Sequence, residues 1–233
     1  GYSMDDLHEP HGYTAGLLTK LWYRIVTFGF RLLYNDLAWT YDAVAWSVSL
    51  GQWKAWGRTA IPYLVGESVL ELGFGPGHLL VTLAEGDFKL AGLDTSAHMA
   101  KMAHRRLRRS NVRATLARAL AQKMPFPTHA FDSVVATFPT AYIIHADTIT
   151  EITRVLRPGG RLVIVTGARL TGRDPISRAV EWLYFATGQR GTNDSDAWET
   201  GFTSAGLTMR ETQVEMDSSQ AYLLIADKLN HDG

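Results

Sequence analysis

Between Val69 and Leu80 the chain reads VLELGFGPGHLL, an apolar run that breaks into Gly73, Gly75 and Gly77, with Glu71 two residues ahead of the first glycine. Glycines at alternate positions let a backbone turn tightly and approach a ligand with no Cβ in the way. A dinucleotide fingerprint wants Gly-x-Gly-x-x-Gly, with a pyrophosphate on the helix that follows. Here the third glycine comes one position early and His78 stands in the sixth place. A carboxylate beside such a loop repels a pyrophosphate and complements a cation, so the loop points away from a nicotinamide dinucleotide and toward a cationic, amino-acid-like ligand. Asp94 closes the apolar run KLAGLD seventeen positions beyond Gly77. In a doubly wound sheet that spacing puts its carboxylate beside the glycine loop, where an acid can accept both hydrogen bonds of a ribose diol. The alternative is that Asp94 only caps the helix that starts near Ser96.

These residues need a parallel sheet to hold them. From residue 68 onward short apolar runs alternate with helical stretches, the pattern of strands joined by crossover helices. The pattern predicts strands near 68–73, 88–93, 112–117, 131–137 and 160–166, and helices near 77–85, 97–109 and 145–156. Pro158, Gly159 and Gly160 read as a turn between helix and strand, since proline stops the helix and glycine supplies positive φ. The runs LTMRETQVEM and SQAYLLIADKL, parted near Asp217, Ser218 and Ser219, predict a hairpin.

Ahead of the sheet, residues 1–12 read as a mobile N-terminus and residues 13–66 as an aromatic helical cap, with residues 67–233 as the core. Leu18, Leu21, Trp22, Ile25, Phe28 and Leu32 recur at helical spacing among Lys20, Arg24 and Arg31. Weak peripheral contact with a membrane is a further hypothesis for this helix. A helical insertion is expected over about 171–193, with Val180, Leu183 and Tyr184 on one face.

The 233 residues carry 23 Lys and Arg against 23 Asp and Glu, a balance that disfavours a nucleic-acid partner. The absence of cysteine excludes disulfides, thiolate metal sites and thiol nucleophiles, and His8, Glu9 and His11 are ordinary tail residues rather than a metal site. No secretory pattern opens the chain and no long uncharged apolar run follows, which reads as a cytoplasmic protein. HRRLRR at 104–109 reads as the solvated, dipole-favourable end of a helix.

Taken in order, VLELGFGPG, GLDTS, MPFPTHAFDSVVAT and EITRVLRPGGRLVIV resemble the class I S-adenosylmethionine-dependent methyltransferases, in particular the small-molecule branch that includes the ubiquinone and menaquinone methyltransferases. The resemblance covers roughly residues 68–168, with a weaker echo in YDAVAWSVS. It implies an α/β fold: a Rossmann-like, doubly wound, seven-stranded sheet with an antiparallel last strand, here preceded by the N-terminal helical cap. It implies S-adenosyl-L-methionine as cofactor, with S-adenosyl-L-homocysteine as product and no metal. Carried over by residue, Glu71 and the backbone of Gly73, Gly75 and Gly77 surround the methionine end, with Tyr41 and Asp42 near it. Asp94, beside Thr95, holds the ribose, and Thr137 with the following FPTAYI faces the transferred methyl group. The acid that commonly contacts the adenine amino group is missing, because Ala119, Leu120 and Ala121 occupy those positions. Leu120 is therefore expected to pack on the adenine and Ala121 to contact it through backbone.

Methyl transfer is an in-line displacement in which alignment and exclusion of water can supply much of the acceleration. For a hydroxyl acceptor, His145 is the candidate base and Tyr142 or Tyr41 an orienting group; the alternative for His145 is a helix-start residue without a chemical role. Trp39, Trp46, Phe138, Trp182 and Tyr184 are candidate lining residues for an aromatic, quinone-like or lipid-like small-molecule acceptor. O-, N- and C-methylation all remain open. The competing readings are a non-catalytic cofactor-binding protein and a nicotinamide-dependent oxidoreductase.

Overall fold

The computed structural model describes residues 52–171 and 195–229. Helix α1 (Trp53–Arg58) and a 3-10 turn (Ile61–Tyr63) lead into the sheet. Then follow β1 (Ser68–Leu72), α2 (His78–Leu83), β2 (Lys89–Asp94), α3 (Ala97–Arg109), β3 (Ala114–Arg118) and β4 (Phe131–Thr137). A 3-10 turn (Ala141–Ile144) precedes α4 (Ala146–Val155), β5 (Leu156–Leu170), α5 (Ser195–Ser204), β6 (Leu207–Met216) and β7 (Ser219–Lys228). The seven strands lie in the order β3-β2-β1-β4-β5-β7-β6, with only β7 running antiparallel to its neighbours. The doubly wound sheet with an antiparallel last strand, expected from the sequence resemblance, is therefore present. Its chain order reverses direction between β1 and β4, the kind of switch point where α/β sheets open a crevice at their carboxyl ends.

Side-chain alternation explains the two layers. On β1, Leu70 and Leu72 point into one core with Val134 and Ala136 of β4 and Ile149 and Ile152 of α4. Val69 points the other way, into a second core with Val135, Leu80 and Leu83 of α2 and Ala103 and Leu107 of α3. Every residue of β1 is buried, as a central parallel strand covered on both faces must be. Its entry is fixed by Asp132, whose carboxylate accepts from the Glu67 and Ser68 N–H groups at 3.0 and 2.8 Å and pairs with Arg157.

The structure differs from the sequence reading in four places. Strand β5 runs from Leu156 to Leu170 rather than over 160–166; the Pro158–Gly160 turn is a register break inside it, with Gly159 at φ +72. The hairpin turn needs only Asp217 and Ser218, because Ser219 already pairs with Met216. Helix α5 was not anticipated, its sequence having been read as the flank of an insertion; fully buried Phe202 anchors it. Arg106 does not belong to a solvated helix end: although Arg105, Arg108 and Arg109 are exposed, Arg106 donates to the Pro76 carbonyl. The segment 1–51, and with it Trp39, Tyr41, Trp46 and the amphipathic helix, lies outside the described residues, as does the insertion with Trp182 and Tyr184.

Candidate active site

The glycine loop leaves the buried strand β1 and turns back through three positive φ angles, +70 at Gly73, +50 at Gly75 and +79 at Gly77. Each is a conformation that L side chains rarely adopt. The three glycines have different surroundings. A Cβ on Gly77 would stand 3.0 Å from the Ala103 Cβ and 3.2 Å from its Cα, so this glycine lets α3 pack against the loop. A Cβ on Gly73 would meet the Tyr142 hydroxyl at 3.0 Å. At Gly75 no atom of the described residues comes nearer than 4.0 Å to such a Cβ. Gly77 is the N-cap and His78 the first residue of α2, so the site of a third fingerprint glycine is already helix.

Asp94 ends β2 directly beside this loop. Its Oδ2 accepts from the Gly75 N–H at 2.9 Å and its Oδ1 from the Ser96 N–H at 2.8 Å. The cap of α3 is Ser96, whose side chain accepts from the Met99 N–H. Asp94 is thus a loop anchor rather than a helix cap, and each of its oxygens keeps a second lone pair for a diol. Thr95 beside it is exposed.

Glu71 lies under the loop at 2 % exposure. Burial drives its carboxyl well above the ordinary range, and the nearby Asp94 carboxylate adds to the effect; a hydrogen bond with the Leu80 backbone in the first turn of α2 opposes both. Its Oε2 has no hydrogen-bond partner among the described residues. A buried carboxylate oxygen with no partner is costly to the fold, and a cationic donor is the ligand chemistry that would complete it.

Beyond Asp94, β3 runs alongside β2 with Arg118 opposite Asp94. Two residues further on, Leu120 is 61 % exposed, while the Ala121 side chain is buried. Leu120 thus leaves an apolar side chain in solvent two residues past the strand partner of Asp94. The following segment is tied to α4: Glu151 accepts from the Met124 N–H at 2.6 Å, and Arg154 donates to the Phe126 and Met124 carbonyls at 2.8 and 3.1 Å. On the other side of the switch point, Thr137 ends β4 with its methyl 3.7 Å from where a Cβ on Gly57 of α1 would stand. Phe138 adopts φ 50, unusual for an aromatic residue, and stacks on Trp53 at 4.1 Å. Strained backbone of this kind collects at functional sites.

Tyr142 and His145 part company. Tyr142 is half-buried and brings its hydroxyl over Gly73. His145 is exposed and is the N-cap of α4, its Nδ1 accepting from the Asp147 N–H at 3.2 Å. A neutral imidazole has one lone pair, and the cap occupies it. Of the two roles read for His145, the structure shows that of the helix-start residue. Arg106, Glu151 and Arg154 were the site-supporting residues that sequence reasoning missed; the only signal for the latter two was that MPFP and EITRVLRPGG occur together and in order.

Among known proteins, the family described as "Methyltransferase domain" matches residues 69–160. The demethylmenaquinone methyltransferase of Symbiobacterium thermophilum is 30% identical over 164 residues, covering 66% of this chain and 63% of that protein. The ubiquinone/menaquinone biosynthesis C-methyltransferase of Bordetella parapertussis is 29% identical over 164 residues, covering 66% of this chain and 61% of that protein. The matches thus span about three fifths of these relatives' length. Among solved structures, geranyl diphosphate C-methyltransferase from Streptomyces coelicolor A3(2) aligns with a TM-score of 0.58 at 18% identity, covering 75% of this chain and 78% of that one, and shares the fold.

Proposed function

We infer that this chain, whose core resembles the class I S-adenosylmethionine-dependent methyltransferases of the ubiquinone and menaquinone type, transfers a methyl group from S-adenosyl-L-methionine to a small aromatic or quinone-like acceptor. The observation that carries the reading is the buried oxygen of Glu71 beneath the glycine loop, which no described residue partners. It fits a ligand with an ammonium group, and it would repel the pyrophosphate of a nicotinamide dinucleotide. Of the two competing readings, the oxidoreductase is disfavoured on this ground.

S-adenosylmethionine, when bound, supplies an electrophilic methyl group on a sulfonium centre. Glu71 would take its methionine ammonium, Asp94 its ribose hydroxyls and Leu120 one face of its adenine, with backbone at Ala121 replacing the missing acid. Tyr142, leaning over Gly73, is the candidate orienting group at the reacting end. Thr137 and Phe138, at the carboxyl end of β4, border the place where an acceptor would enter. No base is assigned, because alignment and exclusion of water are the main requirements of the displacement. The aromatic side chains around Phe138, together with the quinone-related names of the relatives, support a flat apolar acceptor.

Calorimetry with S-adenosylhomocysteine tests the reading. Micromolar binding that Asp94→Ala weakens at least about tenfold is expected, the loss of one or two charge-assisted hydrogen bonds. If the intact protein bound neither S-adenosylhomocysteine nor S-adenosylmethionine, the proposal would be wrong.

A further inference from the structure

We propose that Arg106 is a positioning residue for the glycine loop, clamping it together with Asp94 so that the loop is set before a ligand arrives. The proposal rests on the methyltransferase reading for the ligand's identity, and on the geometry alone for the clamp. Residues Phe74 to Gly77 form a tight turn closed by the Gly77 N–H donating to the Phe74 carbonyl at 2.9 Å. Inside that turn, the Gly75 N–H points to Asp94 Oδ2 and the Pro76 carbonyl to the Arg106 guanidinium. Proline brings no N–H of its own, and Pro76 is buried, so its carbonyl needs a partner from elsewhere in the chain.

The two anchors belong to one rigid piece. Asp94 Oδ1 accepts from the Ser96 N–H, Ser96 caps α3, and Arg106 lies on α3 one turn beyond Ala103, the residue against which Gly77 packs. The Phe74–Gly75 and Pro76–Gly77 peptide groups of the loop are thereby held by the end of β2 and by the α3 that follows it. Such a grip matters because glycines at Gly73, Gly75 and Gly77 make the free loop costly to order. Fixing it in advance removes that cost from the binding step.

The test compares Arg106→Met, which keeps the apolar stem, with Arg106→Lys, which keeps one cationic donor. Three quantities are read on the full chain: S-adenosylhomocysteine affinity, amide exchange at Gly75 and Gly77 without ligand, and melting temperature. Expected are an affinity loss of about tenfold or more in Arg106→Met, faster exchange at both glycines, and partial recovery of both in Arg106→Lys. Unchanged glycine exchange in Arg106→Met overturns the clamp, whatever happens to binding. So does an equal loss of melting temperature in both variants with no lysine recovery, since that describes a general structural role. If the intact protein binds no S-adenosylhomocysteine, the methyltransferase reading falls, while the exchange measurement still decides the clamp.

Discussion

Glu71 contributes less to folding than a neutral side chain of its shape would, because its burial disfavours the charge and no described residue partners one of its oxygens. Glu71→Gln is therefore expected to leave the melting temperature unchanged or raised while weakening S-adenosylhomocysteine binding by roughly 10- to 100-fold, the range for a lost charge-assisted hydrogen bond. Thermal melts and calorimetry on the same samples check both halves. The sign with pH follows from the raised carboxyl. In the free protein Glu71 holds its proton above its ordinary value of 4.5, so its unfavourable contribution is absent below that value and grows as pH rises toward the folded one. A ligand ammonium needs the ionised form, so at pH values below the folded one binding should release a proton, seen as a binding enthalpy that varies with the buffer's ionisation enthalpy. At His145 the expectation is the reverse of a catalytic one: His145→Ala should cost about 0.5–2 kcal/mol of stability as a lost cap and leave turnover of any acceptor unchanged. Glu71 and Asp94 were legible in the sequence because each stands at a fixed distance from the glycines. Arg106 was not, since four arginines within five positions look alike until the backbone shows which one faces the loop.

At the level of elements, the glycine loop and α3 form a fitted pair, and the fit makes unequal demands on two neighbouring glycines. Gly77→Ala should destabilise the fold by about 1–3 kcal/mol through its left-handed backbone and, in addition, by its contact with Ala103 at 3.0 Å; Ala103→Gly in the same chain should return the steric part. Gly75→Ala meets no such neighbour among the described residues and should harm ligand binding more than melting temperature. Chemical denaturation of the three variants separates strain from crowding. The parallel strands and α3 were legible because apolar runs and helical spacing reflect local geometry. The extension of β5 was not: its residues 166–170 are strand because β7 pairs with them, a long-range cause with no local trace. Helix α5 escaped for the same reason, since its anchor Phe202 is buried only when packed against distant elements.

Across the described core, Asp132 and Asp227 tie neighbouring strands and Glu151 ties α4 to the Met124 segment, and the three set its acid sensitivity. At Asp132 and Asp227 burial alone would raise the carboxyls, but Arg157 with two backbone N–H groups, and Arg161 with Arg210, outweigh it and hold both below their ordinary 3.8. At Glu151 the Arg154 hydrogen bond dominates and holds it below 4.5. Lowered acids stabilise the fold above their unfolded values and lose that contribution as pH falls through the folded ones. Denaturation should therefore become easier below about pH 5, and Asp132→Asn should flatten that dependence while reducing stability at neutral pH. The sheet order has a separate consequence for how the chain is made. Strand β7 is translated after β6 yet lies between β5 and β6, so a growing chain carries β6 for a time with no sheet neighbour to receive it. During that interval its Arg210, Glu211 and Glu215 act as guards against pairing with other nascent chains, and only the emergence of the later strand lets the earlier one take its place.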